Sequence, residues 1–124
     1  MKTAVTSHGR NLESSVDPRF GRCSWFIVAD IKTGEYRAVS NERNLNAARG
    51  AGIQAAERVS RLGVQAVITG HCGPKAFRVL RAAGIKVYSA GEGTVAEVLD
   101  KLKRGMLKEA EAPDVEGHWD VINK

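Results

Sequence analysis

The sequence is poor in cysteine, in aromatic side chains and in long apolar runs, and each shortage excludes a class of protein. Its 124 residues contain two cysteines, Cys23 and Cys72, too few for a small disulfide-stabilised scaffold. Aromatic residues make up 6%, which is little for a platform that stacks single-stranded nucleic acid. No apolar run approaches the roughly 20 residues that span a bilayer, so we expect a protein outside the membrane.

The remaining composition is that of an ordinary globular domain. Hydrophobic residues make up 43% and charged residues 27%, and the length suits one domain with a single core. The chain turns polar soon after its start, unlike a signal peptide, so we expect a cytoplasmic location. The net charge of +5 favours anionic partners. Without a run of five or more basic residues, we expect no nucleic-acid partner.

Apolar patterning predicts strands and helices in the order β-β-β-α-β-α-β-α. Strands are predicted over 3–6, 24–31, 35–40, 64–69 and 85–89, the second and third forming a hairpin around the turn at 32–34. The first helix has apolar residues at helical spacing and is predicted to close at Gly63. The second begins near Pro74, and the third is capped by Thr94 with Glu97 completing a capping box.

This order predicts a three-layer α/β/α fold around a mixed five-stranded sheet. The simplest arrangement has strand order 3-2-1-4-5 with strand 2 antiparallel, which is the ribonuclease-H-like motif. Residues 1–109 are predicted to form a single domain and residues 110–124 a C-terminal tail. Whether His118 and Trp119 anchor that tail or bind a ligand stays open.

One edge of such a sheet collects the unusual segments of the chain. Ligands favour the carboxyl ends of strands where chain direction divides, here between strands 1 and 4. Strand 1 leads there into His8 and Arg10, strand 4 leads into residues 70–75, and residues 16–23 and 41–49 lie beside them. Two helix N-termini point at the same edge, each with unpaired N–H groups and about half a positive charge. We therefore predict an anion site, with a metal-containing anion as one option.

Both cysteines are expected at this edge. A cysteine at a helix N-terminus near basic groups should have a lowered pKa and react as a thiolate. Cys72 and His71 are the best candidate metal ligands, and Cys23 is a third. A plainer interpretation stays open: the glycines and Pro74 form only a strand-to-helix turn, and both thiols are buried as small apolar side chains.

Three stretches of the chain together resemble a known family. They are VDPRFGRCSWFIVAD (16–30), GAGIQAAERVSRLGVQAVITGHCGPKAFRVLRAAGIKVY (50–88) and GHW (117–119), in the same order and with compatible spacing. They are similar to the nitrogenase iron–molybdenum cofactor biosynthesis accessory family, which includes NifX-like proteins and the carboxyl-terminal domain of NifB.

The resemblance implies a small, non-enzymatic carrier. Such a protein binds an iron–sulfur or iron–molybdenum cluster, or its precursor, and passes it from a donor protein to an acceptor protein. Related stand-alone proteins bind molybdenum–copper sulfide clusters noncovalently, so that cargo is a further option. By position, the family's motifs and the neighbouring rim give these candidate binding residues: His8, Arg10, Phe20, Gly21, Arg22, Arg49, Gly50, Gly52, Gly70, Gly73 and Pro74.

Other functions fit the residues less well. The first strand has no carboxylate for the two-metal chemistry of a ribonuclease-H-like nuclease, and the chain has no Cys-x-x-Cys pair for thiol redox work. Two cysteines cannot supply four thiolates, so partial ligation in a monomer, or ligands shared in a weak homodimer, is expected. The main alternative is a small-anion or nucleotide-binding regulatory module that uses the same helix N-termini without metal.

Overall fold

The computed structural model describes residues 1–41 and 50–112. Arg49 and the His118–Trp119 pair lie outside these ranges, as do the predictions made for them. Within the described ranges the elements are β1 Lys2–Ser7, β2 Trp25–Asp30, β3 Tyr36–Ser40, α1 Ala51–Ser60, β4 Ala66–Thr69, α2 Pro74–Ala82, β5 Lys86–Ser89 and α3 Val95–Lys103. Every predicted strand and helix is present, with bounds that differ by a few residues.

The sheet has the predicted strand order, β3-β2-β1-β4-β5. Strand β2 pairs antiparallel with both β1 and β3, while β1 pairs parallel with β4 and β4 parallel with β5. These pairings confirm the mixed sheet and the direction of β2. The ribonuclease-H-like name for the arrangement stays an interpretation.

Alternate residues of the strands face two separate apolar cores, as the two-residue period of a strand requires. On one face Phe26 and Val28 pack with residues of α1 and α2, among them Leu80. On the other face Val5 and Ile27 pack with residues of α3. Because both faces are covered by helices, the central strands are almost fully buried and the domain has three layers.

The first helix ends earlier than predicted. Helix α1 stops at Ser60, after which the N–H groups of Arg61 and Leu62 donate to the carbonyls of Arg58 and Val59 in a tighter turn. Gly63 follows with φ of 76°, a left-handed conformation that favours glycine, and reverses the chain toward β4. The glycine therefore belongs to the connection and does not directly cap the helix.

The described end of the chain lies along the edge strand β5. Glu109 forms a bridge with Tyr88, and the Ala110 N–H donates to the Val87 carbonyl over 2.7 Å. Ala110 thus packs on the domain, while the predicted boundary at residue 109 stays a prediction. In the parts of the chain that the structure describes, no helix is long and apolar enough to cross a membrane.

Replacing Thr94 by alanine should weaken the start of α3. The Thr94 hydroxyl accepts from the Glu97 N–H and the Glu97 carboxylate accepts from the Thr94 N–H, so the capping box is complete. We expect Thr94→Ala to lower the free energy of unfolding by about 1 kcal/mol in urea denaturation. Thr94→Ser, which keeps the hydroxyl, should stay close to wild type. Equal stability of the two variants would contradict this role for the cap.

Candidate functional site

Residues 16–23, called the strap below, cross the carboxyl edge of the sheet. The Val16 N–H donates to the Gly93 carbonyl over 2.9 Å, which joins the strap to the loop before α3. Farther along, the His71 N–H donates to the Pro18 carbonyl over 2.6 Å, and the Phe20 N–H donates to the His71 carbonyl over 3.2 Å. The strap is therefore paired, like a short strand, with the turn that follows β4.

Close packing of the strap explains why glycine is required at two of the predicted binding positions, Gly21 and Gly70. A Cβ at Gly70 would lie 2.7 to 2.9 Å from atoms of Pro18, and a Cβ at Gly21 would lie 2.8 Å from the backbone of Gly52. Side chains cannot be accommodated at such distances unless the backbone moves. Glycine at both positions lets the strap approach the β4 turn and the start of α1.

A cleft of about 350 Å³ lies between the strap and the N-termini of α1 and α2. Neither helix has a side-chain cap at its N-terminus, and neither has an acidic residue in its first turn. The positive ends of both helices are thus not neutralised by their own side chains. The residues that line the cleft are Phe20, Gly21, Gly50, Gly52, Ile53, His71, Gly73, Pro74, Lys75 and Ala76.

Most of the predicted binding residues meet in this cleft. The cleft is lined by seven of the residues predicted for this edge of the sheet, namely Phe20, Gly21, Gly50, Gly52, His71, Gly73 and Pro74. The roles of these residues in binding stay predictions. Ile53 and Ala76 were not expected, because their sequence signal is only that of the apolar helix faces. Lys75, one of the basic residues expected at the edge, contributes an ammonium group.

Four of the predicted binding residues, besides the two cysteines, lie outside the cleft lining. The His8 ring is 3.4 Å from the Asp17 carboxylate, and the Arg10 guanidinium lies 5.7 Å from the centre of the Trp25 ring. Gly70 lies beneath the strap, and the half-buried Arg22 is not among the lining residues. The strap itself separates the end of β1 from the cleft, which the sequence pattern did not indicate.

Cys23, the last residue of the strap, is buried and does not line the cleft. Its Sγ lies 3.4 Å from the Phe20 carbonyl and 3.7 Å from Nδ2 of Asn41. Burial, with the nearby Asp17 carboxylate adding to it, raises the pKa of the Cys23 thiol to about 12. Cys23 is thus packed as a small buried side chain, as the plainer interpretation has it, and the thiolate expected at a helix N-terminus does not extend to this residue because loss of hydration disfavours the charged form.

Cys72 is also turned away from the cleft. It is 3% exposed and belongs to the core beneath α1 and α2, where it shares a small cavity with Phe77 and Ala110. Adjacent side chains of an extended segment point to opposite sides, so His71 reaches the cleft and Cys72 the core. Among the described residues, no three His, Cys, Asp or Glu side chains are grouped to hold a metal ion.

A larger concavity of about 580 Å³ lies at the opposite end of the sheet, under the β2–β3 turn. Its lining includes Lys2, Asp30, Glu35, Tyr36 and Arg37. Charges of both signs are mixed there and no helix N-terminus is among the lining residues. The smaller cleft beside the strap is therefore the better candidate for an anion site.

The strap, the sheet edge and the two helix starts define a class: a small α/β/α domain that presents an amide-rich cleft at the carboxyl edge of its sheet. Residues 1–105 match the sequence profile of the family described as "Dinitrogenase iron-molybdenum cofactor", and the chain belongs to this family. The match covers both helix starts, the strap and the turn after β4.

Known proteins are similar to this chain over most of its length. The apo form of the orange protein from Desulfovibrio gigas superposes with a TM-score of 0.89 at 39% identity, covering 92% of this chain and 96% of that one. A Thermotoga protein, provisionally called a NifB protein, gives 0.80 at 35% identity, covering 94% and 98%. Uncharacterized protein MJ0580 of Methanocaldococcus jannaschii is 33% identical over 98 residues, or 77% of this chain and 83% of its own.

Adding a methyl group at Gly70 should be far more damaging than adding one at Gly73. Gly70→Ala forces atoms against Pro18, and we expect a loss of about 1–3 kcal/mol in the free energy of unfolding. Gly73→Ala is the matched control on the same turn, because a Cβ there meets no atom within 4 Å and its φ is −68°. Urea denaturation of both variants checks this, and similar losses would contradict the close packing of the strap.

The buried Cys23 thiol should make the domain less stable at high pH. Its folded pKa of about 12 exceeds the ordinary thiol pKa of 9.0, so the unfolded chain loses the proton first as pH rises. The stabilisation is complete below about pH 9 and is lost between about pH 9 and pH 12, by at most about 1.4 kcal/mol per pH unit. Urea denaturation should therefore show a steeper alkaline fall for wild type than for Cys23→Ala, and parallel curves would contradict it.

Proposed function

We propose that this protein is a small carrier that holds an anionic metal–sulfide cluster in the cleft and transfers it without chemical change. Membership of the dinitrogenase iron-molybdenum cofactor family supports an accessory or carrier role. The observation that carries the proposal is that the N-termini of α1 and α2 both lie at this cleft, and that neither has a side-chain cap or an acidic residue in its first turn.

The cleft offers several independent attractions to an anion. Backbone N–H groups in the first turns of α1 and α2 have no partner within their own helices, and each helix adds about half a positive charge. Lys75 is among the lining residues and adds a positive charge to this part of the surface. Phe20, Ile53 and Ala76 form an apolar lining, which suits polarizable sulfides better than strongly hydrated oxygen anions.

His71 is the side chain in the cleft that is best suited to contact a metal within the cargo. Imidazole is a good ligand for copper and iron, and the backbone of His71 is held on both sides by Pro18 and Phe20. Cys23 and Cys72 are separated from the cargo by core packing. We therefore propose that the cluster brings its own sulfides and is held mainly without protein thiolates.

The cargo is proposed to be an iron–sulfur or iron–molybdenum cluster, or a molybdenum–copper one. The orange protein was solved in an apo form, which fits a domain of this fold that releases its ligand. Among the described residues, the cleft lining contains neither a carboxylate nor a thiol, which favours holding and transfer of a cargo over catalysis. We propose that the donor and acceptor proteins are in the cytoplasm. We place no nucleic acid among the partners.

The second candidate is a metal-free module that binds a small anion or a nucleotide. The same absence of thiols from the cleft lining favours it, because helix N-termini alone can bind phosphate. The two functions differ in whether the preferred anion carries sulfide and metal.

The experiment adds tetrathiomolybdate to the anaerobic protein, with and without copper, followed by gel filtration, visible absorption and metal analysis. We expect the wild-type protein to leave the column coloured, with molybdenum in a fixed ratio to protein. A colourless, metal-free protein that instead binds phosphate or ATP would overturn the carrier in favour of the module.

Gly73→Asp tests the location of the binding site. An aspartate at this N-cap position should accept the first N–H groups of α2 and keep or raise the thermal stability. The same carboxylate neutralises the helix terminus and repels the anion, so tetrathiomolybdate affinity should fall by about tenfold or more, about 1.4 kcal/mol. Gly73→Asn provides a cap without the charge and should lose less affinity.

Thr33→Asp is the matched charge control. Thr33 lies in the exposed β2–β3 turn at the far end of the sheet, and its replacement changes the net charge by the same amount. If both aspartate variants lose the same affinity, only overall charge matters. If neither loses any, the anion binds elsewhere.

A further inference from the structure

Asp17 is the one charged residue that is buried among the described parts of the chain, with 1% of its surface exposed. Burying a carboxylate is strongly unfavourable unless the charge is paired and hydrogen-bonded. Asp17 is not among the residues that line the cleft. Its burial therefore needs an explanation other than direct contact with a ligand.

Both carboxylate oxygens of Asp17 are engaged. Oδ1 accepts from the Arg19 N–H over 3.0 Å and from Arg19 Nε over 3.2 Å. Oδ2 accepts from Arg19 Nη2 over 3.3 Å and lies 3.4 Å from Nδ1 of His8. The bond from Oδ1 to the N–H two residues later closes a turn around Pro18.

The backbone of Asp17 is joined to the two central strands. Its N–H donates to the Thr6 carbonyl over 2.9 Å, and its carbonyl accepts from the Thr6 hydroxyl over 2.6 Å. That hydroxyl lies 2.9 Å from the hydroxyl of Thr69, at the end of β4. One end of the turn is thus fixed to β1 and β4, the most deeply buried strands.

The other end of the turn presents the groups that hold His71. The Pro18 carbonyl accepts from the His71 N–H, and the Phe20 N–H donates to the His71 carbonyl. Both His71 and Phe20 line the cleft. A continuous set of hydrogen bonds therefore leads from the Asp17 carboxylate, through the Arg19 N–H and the turn, to one wall of the cleft.

We propose that Asp17 is a positioning residue, whose bond to the Arg19 N–H sets the turn of the strap and thereby places His71 and Phe20 in the cleft wall. The Arg19 guanidinium neutralises the carboxylate, and the His8 ring lies beside it, so that the carboxylate does not repel an anion nearby. Arg19 and His8 thus contact Asp17 and are not proposed as anion ligands. The identity of the ligand that this wall contacts rests on the proposed function, whereas the positioning of His71 and Phe20 by Asp17 does not.

The test compares Asp17→Asn with Asp17→Ala. Asparagine keeps an Oδ1 acceptor for the Arg19 N–H, and alanine removes it. In Asp17→Ala the amide hydrogen of His71 should exchange about tenfold faster or more by NMR, while the amides of β1 and β4 keep their rates. Tetrathiomolybdate affinity should fall by about tenfold in Asp17→Ala and stay within about threefold of wild type in Asp17→Asn.

Two controls distinguish an effect on the position of His71 from an effect on the stability of the domain and from an effect of the Arg19 charge. Val98→Ala removes core volume beneath α3, far from the strap, so it should lower stability and leave tetrathiomolybdate affinity unchanged. Arg19→Gln removes the guanidinium and keeps the backbone N–H, so His71 exchange should stay as in wild type. If Asp17→Ala does not fold, Asp17→Ser replaces it. Because the serine hydroxyl is a weaker acceptor for the Arg19 N–H than the carboxylate, the His71 amide of Asp17→Ser should still exchange faster than that of wild type.

Unchanged His71 exchange in Asp17→Ala, or in Asp17→Ser where that variant is used, overturns the proposal. So does an equal acceleration in Val98→Ala, because the effect would then come from stability alone. If the wild type does not bind tetrathiomolybdate, the proposed function fails instead. The exchange measurement needs no ligand and still decides whether Asp17 holds the wall.

Discussion

The close backbone contact between the strap and the turn after β4 is the constraint on which the site depends. Pro18 lies so near Gly70 that a side chain at that glycine has no room, and the hydrogen bonds to His71 lie immediately beside this contact. Without it, Phe20 and Gly21 would not face the start of α1, and the two helix N-termini would open onto bulk water. The strap thus converts two separate helix ends into one shared, partly apolar cleft.

Charge in this region follows one rule: positive groups face the cleft, and the nearby negative group is neutralised. The helix starts carry no acidic residue in their first turns, Lys75 lies at the wall, and Asp17 is paired with Arg19 and His8. Inside a low-dielectric wall an unpaired carboxylate would weaken anion binding strongly. The net charge of +5 is consistent with this arrangement, but the local pairing determines which positive groups remain available.

Local signals predicted the fold well, whereas side-chain direction at the site could not be predicted. Strand alternation, helical spacing and the Thr94–Glu97 capping box act within a few residues and were all confirmed. The convergence of glycines followed from strand order. The orientation of the thiols did not follow from strand order: the Cys23 Sγ lies 3.7 Å from Nδ2 of Asn41, a contact between residues distant in sequence. His8 was placed at the correct edge, but the strap that separates it from the cleft is a tertiary feature.

The cleft is assembled from three stretches of chain near positions 20, 50 and 73, none of which forms a concave surface alone. Such a receptor does not exist until the central strands have paired and both covering helices have docked. Under the proposed function, cargo capture is then coupled to completion of folding, because a bound ligand stabilises the whole domain by mass action and an incompletely folded chain lacks the cleft. On that proposal, the topology itself acts as a quality check on which molecules take part in delivery.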